Sequence, residues 1–154
     1  MVIRVVGAFF AVFCFSILLE LPVKQLLYAG FVGAVGWMVY LLVEPNHSVV
    51  AAAFVSSLVI ALLCHIFARL FKKPVTVYFV AGILPSVPGA SIYRTVLYLI
   101  QGDMSLSTYY LMETLQVAGG IAVAIFIMDS LFRIRKKEKQ ESLTERRQSP
   151  TGRG

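Results

Sequence analysis

The stretch Ala81-Gly82-Ile83-Leu84-Pro85-Ser86-Val87-Pro88-Gly89-Ala90-Ser91-Ile92-Tyr93-Arg94-Thr95 gathers the residue types best able to handle a small solute. Pro85 and Pro88 each withhold a backbone donor, and Gly89 loosens the chain further. The spacing predicts an unwound or sharply kinked segment over residues 85–89. Inside a bilayer, freed N–H and C=O groups are tolerated only where protein or a water-lined cavity satisfies them. Interrupted spans of this kind form substrate sites in secondary transporters. A helix restarting between Gly89 and Ser91 would turn free N–H groups and a positive dipole end toward an anion. Arg94 would add a permanent, fork-shaped charge suited to a carboxylate, and Ser91 and Tyr93 would add hydrogen bonds. The competing reading is a proline kink without a ligand, with Arg94 snorkelling to the interface.

Three more polar groups fall in apolar surroundings. A charge within a span is a functional-site hypothesis, which makes Glu113, Asp129 and His65 candidates for proton coupling. Each has a plainer reading. Asp129 precedes Arg133 by four residues, the spacing of an intrahelical ion pair. Glu113 falls near the end of its segment, where water would hydrate it, and His65 would be a buried, hydrogen-bonded side chain. Cys14 and Cys64 lie 50 residues apart in apolar runs and read as small buried hydrophobes rather than a metal or redox pair. Asn46-His47-Ser48 matches a glycosylation sequon, a pattern too short to carry an argument. No phosphate-binding glycine loop, HExxH or ordered Ser–His–Asp set occurs. The chain is therefore not expected to be an enzyme, and no metal or cofactor is called for.

These residues need elements to hold them, and the composition says which. Of 154 residues, 58% are hydrophobic and 14% charged, against about 25% charged in an average soluble domain. Twelve of the twenty-two charges lie beyond Ile127, leaving ten for everything before it. That is too few to coat a water-soluble globule. A hydrocarbon core about 30 Å thick needs roughly 20 apolar residues per helix. Five such segments can be drawn, at residues 2–19, 25–43, 49–68, 75–100 and 109–132. The fourth carries the Pro85–Gly89 interruption. Arg4 before the first run invites a signal-peptide reading, but no small-x-small cleavage site precedes Glu20-Leu21-Pro22. It reads as a retained span. The expected fold is all-α, a polytopic membrane protein of five transmembrane helices.

The connecting charges set an orientation. Lys and Arg concentrate in short cytoplasmic loops. The first connection holds Lys24, the third holds Arg69, Lys72 and Lys73, and the tail holds eight basic residues from Arg133 on. The second and fourth hold only acidic charge, Glu44 and Asp103. This alternation predicts the N-terminus outside and the C-terminus inside, with Arg4 as a mild exception. Residues 1–133 form the membrane domain, and residues 134–154 read as a basic, disordered cytoplasmic tail. The tail serves as a topology signal or as an anchor to anionic membrane lipid; without interleaved aromatics it does not suggest nucleic-acid binding. Small-xxx-small pairs, Ala29/Gly33 and Gly30/Ala34 in the second segment, Ala118/Ala122 and Gly120/Ala124 in the fifth, predict close helix packing.

The run Ile83-Leu84-Pro85-Ser86-Val87-Pro88-Gly89, with Ser91 and Tyr93 following, resembles the signature of the threonine/serine exporter family. That signature is a hydrophobic-Pro-x-x-Pro-Gly run in the penultimate apolar segment. Leu21-Pro22-Val23-Lys24 resembles the family's approach to the second helix, and residues 69–74 its basic turn before the penultimate span. The resemblance covers about residues 10 to 133. It implies the small subunit of the two-component type, working in the bacterial cytoplasmic membrane with a larger family subunit. It also implies export of a small metabolite, threonine or serine, or a dicarboxylate such as succinate. Substrate binding is then expected at Pro85, Pro88, Gly89, Ser91, Tyr93 and Arg94, by alternating access. The rival is an accessory membrane protein that stabilises a larger subunit and transports nothing.

Overall fold

The computed structural model describes residues 2–72 and 74–148, with side chains to residue 134 apart from residue 77. Proline and left-handed residues decide where its helices stop. α1 (Val2–Leu18) gives way to Glu20 at φ 55° and then Pro22, which cannot extend the hydrogen-bond ladder. α2 (Val23–Val43) starts directly after that proline and ends before Glu44-Pro45. The Ser48 side chain caps α3 (Val49–Phe71) by accepting from the Ala51 N–H at 3.2 Å. α3 closes on Lys72 at φ 51°, two residues before Pro74.

The fourth apolar segment is divided into α4 (Val75–Gly82), a 3-10 turn (Leu84–Ser86) and α5 (Gly89–Ile100). The interruption expected at residues 85–89 is therefore present and begins two residues earlier. Gly102 at φ 81° turns the chain, and Asp103 caps α6 (Met104–Gln148) by accepting from the Leu106 N–H at 3.0 Å. Among the described residues every regular element is helical. α6 begins five residues before the expected segment and runs on to Gln148. The stretch 134–148, expected to be disordered, thus has helical backbone. Its Lys, Arg, Glu and Gln residues are good helix formers. Residues 149–154 lie outside the described residues.

Glycines let the first helices meet closely. A Cβ on Gly33 would collide with Val12 of α1, and one on Gly36 with Ile60 of α3. Two edges of α2 thus serve two neighbours. α4 lies across α2 and α3, where Tyr78 joins Val32, Ile60, Cys64 and Ala68 in a buried cluster. A Cβ on Gly82 would come within 2.8 Å of Val32. α4 runs antiparallel to α3, because Tyr78 packs with Cys64, while Ser86 meets Ser56 farther up.

α3 and α6 instead run parallel. Ala53 packs with Val117 and Ile121, and farther on His65 and Arg69 reach Asp129 and Phe132. The pair α4–α5 is therefore one return pass between two helices of like direction. α5 packs on α6 alone among the described residues, since it starts level with the N-terminus of α3 and continues beyond it.

α2, α3 and residues 104–134 of α6 are each long and apolar enough to cross a membrane; α1 is a shorter apolar helix. Large side chains such as Phe10, Leu42, Leu70 and Phe126 lie on the outside. An all-helical bundle with apolar residues outward fits a membrane protein.

Candidate functional site

The broken helix is held by hydrogen bonds that each follow from its sequence. The Ile83 N–H still reaches the Phe79 carbonyl at 3.0 Å, the last α-type bond of α4. The Ser86 N–H then shortens to the Ile83 carbonyl at 2.9 Å and the Val87 N–H to Leu84 at 3.3 Å. Val87 is extended, with ψ 132°, as the residue before a proline prefers. Pro88 has no N–H to continue, offers no side-chain cap, and supplies the carbonyl that receives the Ile92 N–H at 3.1 Å. Helical pairing resumes there.

Side chains pin this break inside the bundle. The Ser56 hydroxyl donates to the Gly36 carbonyl at 2.7 Å, and Ser86 Oγ lies 3.3 Å from Ser56 Oγ. A hydroxyl has one hydrogen, so Ser86 donates to Ser56. The chain Ser86–Ser56–Gly36 thus links the 3-10 turn to α3 and α2, with both serines buried. Neither serine stood out at the sequence level as part of the site. The available signal was Ser56-Ser57, a polar pair in an otherwise apolar segment.

Above the break, Ser91 is buried and its hydroxyl donates to Glu113 Oε1 at 2.5 Å, within the range of a charge-assisted bond. Ser107 on α6 donates to the Thr95 carbonyl at 2.9 Å. Arg94 sits over the Tyr110 ring, 5.3 Å from its centroid. Tyr93 and Gly89 are exposed. Pro88 is half-buried, and Pro85 lines a cleft of about 410 Å³ with Arg4, Ala8, Trp37 and Leu84. A second cleft of about 410 Å³ takes in Glu113, Gln116, Tyr109, His47 and Ser48. The six residues expected at one substrate site are thus distributed around the break rather than along one wall. The helix end offered to an anion also faces a carboxylate already, because Glu113 on α6 lies one bond from Ser91.

At the other end of the α3–α6 seam, His65 and Asp129 come together. His65 Nε2 lies 3.7 Å from Asp129 Oδ1, and Asp129 Oδ2 accepts from Arg133 Nε at 2.8 Å. The i,i+4 pair expected from spacing is present, and the histidine joins it. Both line a groove of about 470 Å³ between α3, α4 and α6, with Thr76, Phe79, Ile125 and Phe126. The α4 and α6 backbones do not pack on each other among the described residues, which leaves the groove open. Nothing in the sequence could have paired His65 with Asp129, since 64 residues separate them.

Comparison with known proteins bears on this architecture. Neither the curated proteins nor the solved structures contain a match to the chain. A family model described as Threonine/Serine exporter, ThrE, matches residues 4–131. That span takes in α1 from Arg4 on, α2 to α5, the whole interruption, Glu113 and Asp129. With most of its length matched, and with apolar helices to carry it through a membrane in several passes, the chain belongs to the threonine/serine exporter family.

Proposed function

We propose that the chain is one subunit of a small-metabolite exporter of the bacterial cytoplasmic membrane, working by alternating access with a larger subunit of the same family. It transports rather than catalyses. The observation that carries this reading is a helix broken inside the bundle, with opposite charges beside the break. Arg94 lies over Tyr110, and Glu113 follows Tyr110 by one turn of α6 while holding Ser91. A guanidinium for a carboxylate and a carboxylate for an ammonium suit a zwitterion. Threonine or serine is therefore the favoured substrate. A dicarboxylate such as succinate would meet repulsion from Glu113 and is the less suited of the two classes.

The parallel α3 and α6 support five spans with the N-terminus outside. They put Arg69, Lys72 and Arg133 at one end of the bundle, and His47 and Asp103 at the other. Basic charge then faces the cytoplasm. The larger subunit is expected on the hairpin of α5 and early α6, where Ile92, Val96, Leu99, Met112 and Leu115 are exposed. The test is efflux from cells lacking their native exporter, loaded with threonine, serine or succinate, with and without the partner. Threonine or serine should leave only with both subunits present. Arg94→Ala should abolish export while the complex still assembles. Normal export by that variant would remove Arg94 from the site. Background efflux of all three solutes from the intact pair would end the transport reading and leave the accessory role.

A further inference from the structure

His65 is held in a geometry that leaves one of its nitrogens without a hydrogen to offer. Nδ1 lies 3.0 Å from the Ala61 carbonyl. A carbonyl only accepts, so Nδ1 carries the hydrogen, and the neutral ring must present a lone pair at Nε2. That lone pair faces Asp129 Oδ1 at 3.7 Å. Two acceptors stand opposite each other, too far apart for a hydrogen bond and with no proton to share.

Both partners are oriented in advance. Phe132 stacks on the imidazole with ring centroids 4.4 Å apart, and Arg133 fixes the second oxygen of Asp129. The charged groups around the pair can be followed helix by helix. On α3, Arg69 lies one turn away, 4.8 Å above the Phe132 ring, and donates to the Phe132 carbonyl at 3.4 Å. On α6 there are Asp129 and Arg133. The α4 residues lining the shared groove, Val75, Thr76 and Phe79, carry no charge.

We propose that His65 and Asp129 form a proton-binding site at the basic end of the α3–α6 seam, and that its occupancy controls the groove between α3, α4 and α6. The proton comes from water at that end and adds to Nε2; no other reactant is needed. The new N–H points at Asp129, and a contact between acceptors becomes a charge-assisted hydrogen bond. Closing the 3.7 Å gap draws α6 toward α3 along the groove wall. Histidine is the side chain whose charge ordinarily changes between about pH 5 and 8. The control of transport rests on the exporter reading above; the proton site does not.

Nitrogen NMR of the full chain in lipid nanodiscs, labelled at histidine, tests the site without transport. The chain has two histidines, and His47→Asn assigns the signals. His65 should show the Nδ1–H tautomer at pH 8 and gain the Nε2 proton on acidification. In Asp129→Asn the protonated ring should lose its charge-assisted bond, read as a changed Nε2–H chemical shift, and Arg133→Gln should broaden the distribution of ring environments. The Nε2–H tautomer at pH 8, or an unchanged Nε2–H chemical shift in Asp129→Asn, overturns the site. The transport arm uses His65→Asn, whose amide can keep the bond to Ala61 while lacking Nε2. It should flatten the pH dependence of efflux between pH 5.5 and 8. A wild-type pH profile in that variant would overturn the control of the groove, even with the NMR result intact. Absence of any efflux from the wild-type pair would instead count against the exporter reading.

Discussion

Ser56 and Ser86 differ in what each loses on truncation, although they share one hydrogen bond. Ser86→Ala removes only the bond donated to Ser56, which keeps its own to Gly36. The expected loss is about 1 kcal/mol. Ser56→Ala leaves the buried Ser86 hydroxyl without its acceptor and removes the second bond to the Gly36 carbonyl, which keeps its partner within α2; the loss should be about 2 kcal/mol. Denaturation in mixed micelles should rank Ser56→Ala below Ser86→Ala, and the reverse order would contradict the direction assigned to the bond. Asp103 has a different task, capping α6 through Leu106. Asp103→Ala should cost about 1 kcal/mol in the same assay, and Asp103→Asn much less. The sequence showed Asp103 only as a loop charge. Pro85, Pro88, Gly89 and Arg94 were legible because such residues are conspicuous in apolar surroundings. Glu113 was conspicuous too, but as a coupling candidate in another segment, and its bond to Ser91 was not readable. Ser56 and Ser86 were not legible, because a hydroxyl in a span can bond its own helix, and only tertiary contact shows that Ser56 bonds α2.

The helices themselves were largely legible, because their limits are covalent facts. Pro22, Pro45, Pro74 and the Pro85–Pro88 pair end or interrupt segments wherever they occur. What packs where was less accessible. Small-residue spacing announced that α2 and α6 could approach neighbours closely, yet the two strips fare differently. Gly33 and Gly36 are filled against Val12 and Ile60, whereas Gly120 makes only ordinary contact with Val50 and Phe54, and Gly119, outside the strip, has open space. Gly36→Val should therefore force α2 and α3 apart and destabilise by about 1–3 kcal/mol. Gly119→Ala should be neutral or gain up to about 1 kcal/mol from helix propensity. Equal losses at both positions, measured by the same unfolding assay, would mean that α6 is as tightly partnered as α2. That α5 packs on α6 alone among the described residues could not be read from the sequence, since hydrophobic periodicity marks a face without naming its neighbour. The helical backbone over residues 134–148 likewise follows from local propensity, which the charge count obscured.

At the scale of the molecule, the parallel pair α3 and α6 with one broken return between them predicts opposite membrane sides for the second and third connections. Reactive cysteines placed at Asn46 and Gly102 should label from one side of the membrane, and one at Lys72 from the other. Labelling of all three from one side would contradict a single pass by α4–α5. Residues 104–134 of α6 make roughly 46 Å of helix at about 1.5 Å per residue. A core about 30 Å thick then requires α6 to tilt or to emerge with α5 beyond the end of α3. On the proposed reading, the exposed apolar hairpin is surface for lipid or for the larger subunit, and the break is the place where the bundle would open. The measurement closest to this account uses the complete exporter with Cys14 and Cys64 replaced by alanine, and Val87→Cys or Ala90→Cys introduced at the break. A charged, membrane-impermeant thiol reagent should modify both positions, and threonine or serine should slow the reaction. Inertness at both positions, or rates indifferent to either amino acid, would show that solute does not pass along the broken helix.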